Sequence, residues 1–399
     1  MRGVGIVGVG HSKFGKMSGG TFTDMLSMAA VEALDDAGVK TGTSHGVDQV
    51  FVSTMGAGIL NKQSGIASAL VDYLNLRPAM AETIENGPAS GASAIKLGYM
   101  AIASGMCDCV LVVGGEMMRV VSGWEGTDFV ATMLHPEAEY NYGLTLPAFA
   151  GLFTKLCMDK YGITEKDLSI VAVKNHENAT HNPVAHIHVV PNLYCITEDE
   201  DAHIMNPYVA EPLRMYHCCP VSDGSAAVLM CAMDSADRFL KKPIKIAGIG
   251  QATDTHAVAE REIPTDLLAV RLAAQMAYKM SGLTAQDIDV AELHDAFQIL
   301  EIVESEEVGF FERGQGHIAA RNGDTKIGGI IPINTSGGLK AKGHPLGATG
   351  VSQIVEIVKQ LRGEATGRQV EGAKAGLAVN FGGFGNNVVA TILTKEEES

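Results

Sequence analysis

Two segments of the chain place a chemically informative residue just before a predicted helix. The first reads PASGASAI from Pro88, and the second reads HPLGATGV from His344. The N-terminus of a helix carries unpaired N–H groups and a partial positive charge, which stabilise thiolates, enolates and phosphates. The sequence therefore predicts two helix N-termini directed at one site, with an imidazole at one start and a proline at the other.

A second histidine, His294, lies in the segment HDAF after a predicted buried strand. A lone histidine is usually a hydrogen-bonded core residue, but His294 and His344 follow matching parts of a repeated unit, which favours a functional site. Two neutral imidazoles at a desolvated site can each donate a hydrogen bond to an oxygen that gains negative charge. We therefore expect both histidines to be catalytic.

Weaker catalytic candidates lie beside the first helix start. Ser90 is predicted to cap the helix, as serine often does, although its hydroxyl is also a possible weak nucleophile. Asn86 precedes it on the same loop, and Glu85 is close enough in sequence to act as a base. A carboxylate on such a loop is more often solvated or salt-bridged, so Glu85 is the weakest of the three.

The elements around these segments occur twice. The first half reads as the strand GVGIVGVG, the helix TDMLSMAAVEALDDAG, the strand VDQVFVSTM, the helix after Pro88 and the buried strand CDCVLVVGGE. The second half repeats that order with KIAGIGQATD, TDLLAVRLAAQMAYKMSG, IDVAELHDAF, the helix after His344 and AGLAVNFGGFG. Such repetition predicts an α/β fold of two similar halves. We assign 1–118 with 216–242 to the first half, 243–399 to the second, and 119–215 to an inserted loop domain.

Other patterns are interpreted as structural. The glycines Gly3, Gly5 and Gly8 match GxGxxG, but they lie inside the first predicted strand, which indicates tight packing and not a dinucleotide site. The seven cysteines lack the paired spacing of a zinc site, so we assign no metal. Cys218 and Cys219 are expected to be small core residues.

Composition excludes several classes of partner. The formal net charge of −16 argues against a nucleic-acid surface. No uninterrupted apolar run is long enough to span a membrane, and the N-terminal segment is not a signal sequence. We therefore expect a cytoplasmic globular protein with neither nucleic-acid nor membrane partners.

The segments HDAF, GGLKAKGHPLGATG and CCPVSDGSAA resemble the thiolase superfamily, most closely its sterol-carrier-protein-type and archaeal branches. The resemblance extends over essentially the full chain. It implies duplicated β-α-β-α-β-α-β-β halves that form a five-layered α-β-α-β-α sandwich, acyl-CoA and coenzyme A as substrates, and no covalently bound cofactor. It also implies a homodimer and a small partner subunit with a zinc ribbon and an OB-fold.

Some functional residues of the family are present in this chain, and others are replaced. The family's acyl-accepting cysteine falls at Pro88, which has neither a sulfur nor an N–H. The family's second cysteine falls at either Ala296 or Asn380. His344 and His294 match the pair that stabilises the enolate oxygen, and the N–H of Gly382 matches part of the oxyanion hole. Substrate or CoA binding is assigned to Gly343, Phe297, Asn380 and Gly383.

Three functions are consistent with these residues. The first is thiolase-type acyl transfer, in which a 3-oxoacyl-CoA, for example one like benzoylsuccinyl-CoA, and CoA give two acyl-CoAs within a heteromeric complex. The second is retro-aldol cleavage of a 3-hydroxyacyl-CoA of the steroid side-chain type, which needs a base and an enolate site but no acyl-enzyme. The third is a noncatalytic subunit that scaffolds an active partner.

Overall fold

Strands and helices alternate along the computed structural model, which describes residues 2–40 and 46–395. The first half contains β1 (Val4–His11), α1 (Phe22–Asp36), β2 (Gln49–Ser53), α2 (Ile66–Tyr73), β3 (Met80–Ile84), α3 (Ser90–Ala103) and β4 (Cys109–Glu116). There follow α4 (Gly123–Ala131), α5 (Leu146–Tyr161), α6 (Glu165–Thr180), α7 (Leu193–Thr197), α8 (Ala202–Met205), β5 (Tyr208–Ala210), β6 (Leu213–Arg214) and β7 (Gly224–Ala232).

The second half contains β8 (Ile244–Thr253), α9 (Leu268–Ser281), β9 (Val290–Glu292), α10 (Gln298–Glu307), α11 (Gly316–Asn322), α12 (Leu346–Arg362), β10 (Ala375–Gly382) and β11 (Asn387–Thr394). Short 3-10 helices span Tyr140–Tyr142, Met215–His217, Met233–Arg238, Val258–Glu260 and Ala285–Asp287, and a π-helical turn spans Gly338–Lys342. Among the residues that the structure describes, none of these helices has the length and apolar character needed to cross a membrane.

The strands of both halves follow one hydrogen-bonded order, β3-β2-β4-β7-β1-β8-β11-β10-β9. Strands within a half pair over most of their length, whereas β1 and β8 share only the pairs Gly5–Lys245 and Ile6–Ile244. The sheet therefore consists of two parts joined by a short junction. A separate hairpin, β5-β6, lies in the insertion.

Helices α3 and α12 lie between the two parts of the sheet. They pack against each other and against strands of both halves, while α1 packs on the first part and α9 on the second. Along β4, Val110 and Val112 pack with residues of α3 and α12, and the alternating Leu111 and Val113 pack with residues of α1 and α2. The alternation of strand side chains thus produces the five layers, α-β-α-β-α, that the sequence analysis predicts.

Several elements were not assigned from the sequence. The structure adds α2 and β3 in the first half, which completes the order β-α-β-α-β-α-β-β, and α10 and α11 in the second. In the second half the counterpart of β3 is reduced to an isolated bridge between Ala291 and Ile333. In the insertion, helix α6 is formed by the segment EKDLSIVAVKNHENAT.

Close approach of main chains explains the glycines of β1 and of the central helices. A Cβ atom on Gly8 would overlap the carbonyl of Ala33 in α1, so this glycine serves packing and not nucleotide binding. At the helix crossing, a Cβ on Gly91 of α3 would lie 2.9 Å from the nitrogen of Val351 and 3.0 Å from Gly350, both in α12. The two helix backbones can therefore lie close together because glycines occupy their contact.

We expect Gly350→Ala to lower the free energy of unfolding by about 1–3 kcal/mol, because its Cβ would overlap the Asn380 side chain and the Ala92 nitrogen. Gly123→Ala is the matched control, since a Cβ there meets no atom within 4 Å, and its effect should stay within about 0.5 kcal/mol. Urea unfolding of both variants tests this. Equal midpoints for the two variants would show that the helix crossing tolerates side chains.

Candidate functional site

A cavity of about 160 Å³ brings together both helix starts and both candidate histidines. Pro88 precedes α3, His344 precedes α12, and His294 follows β9, and all three line the cavity. The other lining residues are Met118, Gly126, Thr127, Val130, Met133, Leu146, Pro147, Cys218, Cys219, Pro220, Val221, Ala296, Phe297, Leu300, Leu346, Phe381, Gly383 and Phe384. The first half, the insertion and the second half thus each contribute to one wall.

The two imidazole rings lie edge to face. Their centroids are 4.9 Å apart and their planes make an angle of 85°. His294 also stacks on the ring of Phe381, at 5.1 Å and 8°. Both histidines are buried, with 3% of His294 and 7% of His344 exposed. Packing therefore fixes the directions in which their ring nitrogens point.

Hydrogen bonds assign the proton of His294 to Nε2. The side-chain amide of Asn380 donates to Nδ1 at 3.2 Å, and the main-chain N–H of Phe381 also points at Nδ1, at 3.5 Å. Because both groups are donors, Nδ1 must carry the lone pair, and the neutral ring holds its proton on Nε2. His294 is therefore a hydrogen-bond donor through Nε2.

The opposite tautomer is assigned to His344. Its Nδ1 lies 2.7 Å from the hydroxyl oxygen of Thr349, which itself donates to the carbonyl of Pro345 at 3.0 Å. A carbonyl only accepts, so the single hydroxyl proton of Thr349 goes to Pro345 and the hydroxyl oxygen accepts from Nδ1–H. Nε2 of His344 is left with a lone pair and can accept a proton.

Burial keeps both rings uncharged. Desolvation, with a smaller contribution from the charge of Lys342, lowers the pKa of His344 to about 3. Desolvation also holds the pKa of His294 well below its usual value, and a proton on His344 would lower it further. At neutral pH the cavity therefore contains one imidazole donor and one imidazole acceptor.

Buried carboxyl groups position the HDAF loop. Glu304 of α10 accepts from the main-chain N–H of His294 at 2.9 Å. Asp295 accepts from the N–H groups of Leu339 at 2.6 Å and Lys340 at 3.3 Å, in the π-helical turn that leads to His344. Desolvation raises the pKa of Asp295 to about 7 and that of Glu304 well above its usual range. These contacts fix the loop of one histidine to the segment that carries the other.

Glu116, at the end of β4, ties the first half to the start of α12. Its carboxylate accepts from the N–H groups of Met55 and Gly56, each at 2.8 Å, and from the N–H of Gly347 at 3.2 Å. The hydroxyl of Thr54 donates to it at 3.0 Å. Complete burial raises its pKa to about 7, although these donors favour the charged form. Glu116 thus holds the helix N-terminus that follows His344.

The structure places Ser90 away from the cavity. Ser90 is fully buried; its hydroxyl donates to the carbonyl of Gly87 at 2.6 Å and accepts from the N–H of Asn86 at 2.7 Å. The expectation that Ser90 caps α3 is wrong, because Ala89 occupies the N-cap position and Ser90 is the first helical residue. Local turn hydrogen bonds therefore occupy the hydroxyl.

A second cavity, of about 650 Å³, adjoins the first and is lined by Asn86, Glu85 and Gly382. The side chain of Asn86 donates to Ser93 and accepts from Asn387, both at 2.8 Å. Asn86 and Gly382 thus lie beside the imidazole cavity, not in its lining. Gly383 lines both cavities, and Phe297 lines the first.

Asn380 and Gly343 do not line either cavity. Asn380 is 1% exposed, and its carbonyl oxygen accepts from the N–H of Ala92 while its amide faces His294. The sequence analysis assigns Asn380 to substrate or CoA binding, whereas the structure places its amide against His294, where it positions that ring. Gly343 is buried at φ +114, where a Cβ would meet the hydroxyl of Ser222.

Cys218 and Cys219 line the cavity, although the sequence analysis treats them as core residues. The N–H of Cys219 donates to the carbonyl of Ala296 at 2.9 Å, and Cys218 pairs with Phe297, so the dipeptide runs beside the HDAF loop. That long-range pairing leaves no local signal in the sequence. Burial raises the thiol pKa of Cys218 to about 11 and that of Cys219 to about 12. Both thiols therefore stay protonated and are poor nucleophiles.

Comparison with known families decides the identity of the fold. Residues 4–234 match the model of the thiolase N-terminal domain, and residues 250–395 match that of the thiolase C-terminal domain-like family. The chain belongs to the thiolase superfamily.

Thiolase relatives cover nearly the whole chain. An acetyl-CoA acetyltransferase of Methanothermobacter thermautotrophicus is 41% identical over 99% of this chain and 100% of its own length. The benzoylsuccinyl-CoA thiolase subunit BbsB of Thauera aromatica is 30% identical over 93% of this chain and 92% of its own. Among solved structures, an Ltp2-ChsH2(DUF35) aldolase has a TM-score of 0.82 and 24% identity, covering 100% of this chain and 99% of that one.

We expect the two imidazoles of this thiolase-family chain to show opposite neutral tautomers by ¹⁵N nuclear magnetic resonance. His294 should carry its proton on Nε2 and His344 on Nδ1, with His294→Gln and His344→Gln supplying the assignments. Because the pKa of His344 is about 3, its ring should stay neutral from pH 8 to pH 5, where an exposed histidine becomes protonated. The same tautomer at both positions would contradict the assignment.

Glu116→Gln should lower the free energy of unfolding by about 2 kcal/mol at pH 8, because an amide NH₂ would replace an oxygen that faces main-chain donors. Glu125→Gln is the control: Glu125 is exposed and accepts from Ser122 at the start of α4, so its loss should cost less than about 1 kcal/mol. Urea unfolding of the two variants measures both losses of unfolding free energy. A cost for Glu116→Gln no greater than that of the control would contradict this role.

Proposed function

We propose that the chain catalyses thiolase-type transfer, in which a 3-oxoacyl-CoA and CoA give two acyl-CoAs, without an acyl-enzyme. The observation that carries the proposal is the pair of neutral imidazoles, one donor and one acceptor, in a cavity whose other helix start is Pro88. A donor can hold a developing enolate oxygen, and an acceptor can take the proton of the attacking group.

In this reaction His344 accepts the S–H proton of CoA at Nε2 as the sulfur attacks the 3-oxo carbon. The bond between C2 and C3 then breaks, C3 becomes the new thioester, and the electron pair passes into the enolate of the departing acyl-CoA. The Nε2–H of His294 donates to the enolate oxygen. His344 returns its proton to C2, so both residues end as they began.

The low pKa of His344 is compatible with this role. Burial disfavours the imidazolium, but a thiolate or enolate in the same cavity is an opposite charge that favours it. The pKa of His344 therefore rises when the reacting anion forms. Proton transfer is then coupled to formation of that anion.

Direct attack by CoA is proposed because Pro88 precedes helix α3, at the position where the family has its acyl-accepting cysteine. Pro88 supplies neither a nucleophile nor a main-chain N–H. The hydroxyl of Ser90 lies outside the cavity, and the thiols of Cys218 and Cys219 stay protonated. These side chains therefore offer no replacement for an acyl-accepting thiolate.

A retro-aldol reaction is the second candidate, and the same absence of a nucleophile favours it. His344 would accept the proton of a 3-hydroxyl group, and a ketone or aldehyde would leave while His294 holds the enolate oxygen. No CoA thiol takes part in that reaction. The fold is shared with an aldolase, which by itself does not choose the reaction.

We also propose that the chain works as a homodimer with a small zinc-ribbon and OB-fold partner. Strand β3 is the outermost strand of the sheet and has exposed side chains, including Met80, so its edge is open to pairing with a second copy. The aldolase with the same fold is described as an assembly with a DUF35 subunit. A partner of that type would add CoA contacts to those made by this chain.

Product identity tests the proposed function. The chain and its copurified partner are incubated with 3-oxoacyl-CoA and 3-hydroxyacyl-CoA, each with and without free CoA. We expect two acyl-CoAs from the 3-oxo substrate only when CoA is present. Release of a ketone or aldehyde without CoA would establish the aldolase instead, and turnover of neither substrate by the complex would overturn both.

His344→Gln should lower kcat by about 100-fold or more, because it removes the proton acceptor. His176→Gln is the matched control: His176 is a buried histidine outside the cavity, with its pKa lowered to about 4 by desolvation. Unchanged activity of His344→Gln in an active complex would assign catalysis to another subunit.

Pro88→Cys should become acylated by acyl-CoA, and the acyl group is detected as an added mass on the intact chain.

A further inference from the structure

The cavity that holds the two imidazoles carries no formal charge. None of the lining residues that the structure describes is lysine, arginine, aspartate or glutamate. His294 and His344 are the lining bases, and both stay neutral at pH 7 because burial lowers their pKa values. An ionised group entering this space would therefore meet no fixed opposite charge in the wall.

Lys340, a buried cation beside the cavity wall, already donates hydrogen bonds to main-chain carbonyl groups. Lys340 is 4% exposed, and its ammonium donates to the carbonyl of Cys218 at 2.6 Å and to that of Met215 at 3.2 Å. It therefore contacts the main chain that carries the wall and is not part of the lining. The hydroxyl of Thr127, which does line the cavity, donates to the carbonyl of Gly123 at 2.9 Å.

The size and chemistry of the wall define what fits. Apolar side chains dominate it, with Val130, Met133 and Leu146 from the insertion facing Phe297 and Phe384 from the second half. A protein cavity of about 150 Å³ with leucine, isoleucine and phenylalanine walls stays dry and binds benzene. The volume here, about 160 Å³, matches a group of the same size.

We propose that this cavity selects an uncharged, apolar acyl group of about six carbons, or a phenyl ring, and rejects acyl groups that end in a carboxylate. The inference rests on the proposed function only in placing the acyl end of a CoA thioester here. Removing a carboxylate from water without a partner is costly, whereas each buried methylene is favourable. A substrate like benzoylsuccinyl-CoA, with a free carboxylate on its acyl group, is therefore disfavoured.

Binding of two unreactive thioesters tests the selection. Hexanoyl-CoA and adipoyl-CoA have six-carbon acyl groups that differ only at the far end, a methyl or a carboxylate, and neither has a 3-oxo or 3-hydroxyl group to be cleaved. We expect isothermal titration calorimetry on the chain with its partner to give roughly 100-fold weaker binding for adipoyl-CoA. Acetyl-CoA should bind at least about tenfold more weakly than hexanoyl-CoA.

A charge introduced at Thr127 supplies the matched comparison. Thr127→Lys places an ammonium at the cavity and should reduce the preference for hexanoyl-CoA at least about tenfold. Thr127→Met adds similar length without charge and should keep the preference. Both substitutions replace a half-buried helix residue, and urea unfolding checks that each variant folds.

Equal affinity of the unaltered protein for hexanoyl-CoA and adipoyl-CoA would overturn the proposal, and this result needs no variant. An equal change of preference in Thr127→Lys and Thr127→Met would also overturn it, since charge would then not decide. These measurements need no turnover. Failure of the selection is therefore distinguishable from failure of the proposed reaction, which the product analysis tests.

Discussion

The close crossing of α3 and α12 is the constraint on which the site depends. Gly91 and Gly350 let the two helix backbones meet between the parts of the sheet. Each helix starts at the same end of the crossing, so Pro88 and His344, from different halves of the chain, line one cavity. A side chain at the crossing would separate the two starts. The geometry of the cavity is thus set by packing some distance from it.

Desolvation and local hydrogen bonds together determine the charge and the tautomer of the two histidines. Both rings are neutral because the surrounding core disfavours charge, and the tautomer of each is set by the group at its Nδ1. Asn380 and the Phe381 N–H are donors, so His294 presents a proton; Thr349 accepts, so His344 presents a lone pair. A duplicated fold thereby places two residues of the same type in one cavity with complementary chemistry.

Sequence periodicity and internal repetition predict the two halves, the central helices and the pair of histidines, because these follow from local pattern. What sequence could not predict depends on contacts distant along the chain. The side-chain amide of Asn380 contacts His294, and Cys219 reaches the cavity by pairing with the HDAF loop. Ser90 follows a serine pattern typical of a cap, but the N-cap of α3 is one residue earlier, at Ala89. Glu116 gives no signal beyond a carboxylate ending an apolar strand.

The protonated thiols of the cavity have a consequence for chemical inhibition. Electrophiles such as iodoacetamide react with thiolates, and alkylation of a thiolate at a helix start blocks any enzyme that depends on one. Here proline occupies that start, and burial keeps Cys218 and Cys219 in their unreactive form. The cavity therefore presents alkylating agents with thiols of low reactivity, and compounds that block it would bind through its shape, its apolar wall and its two imidazoles.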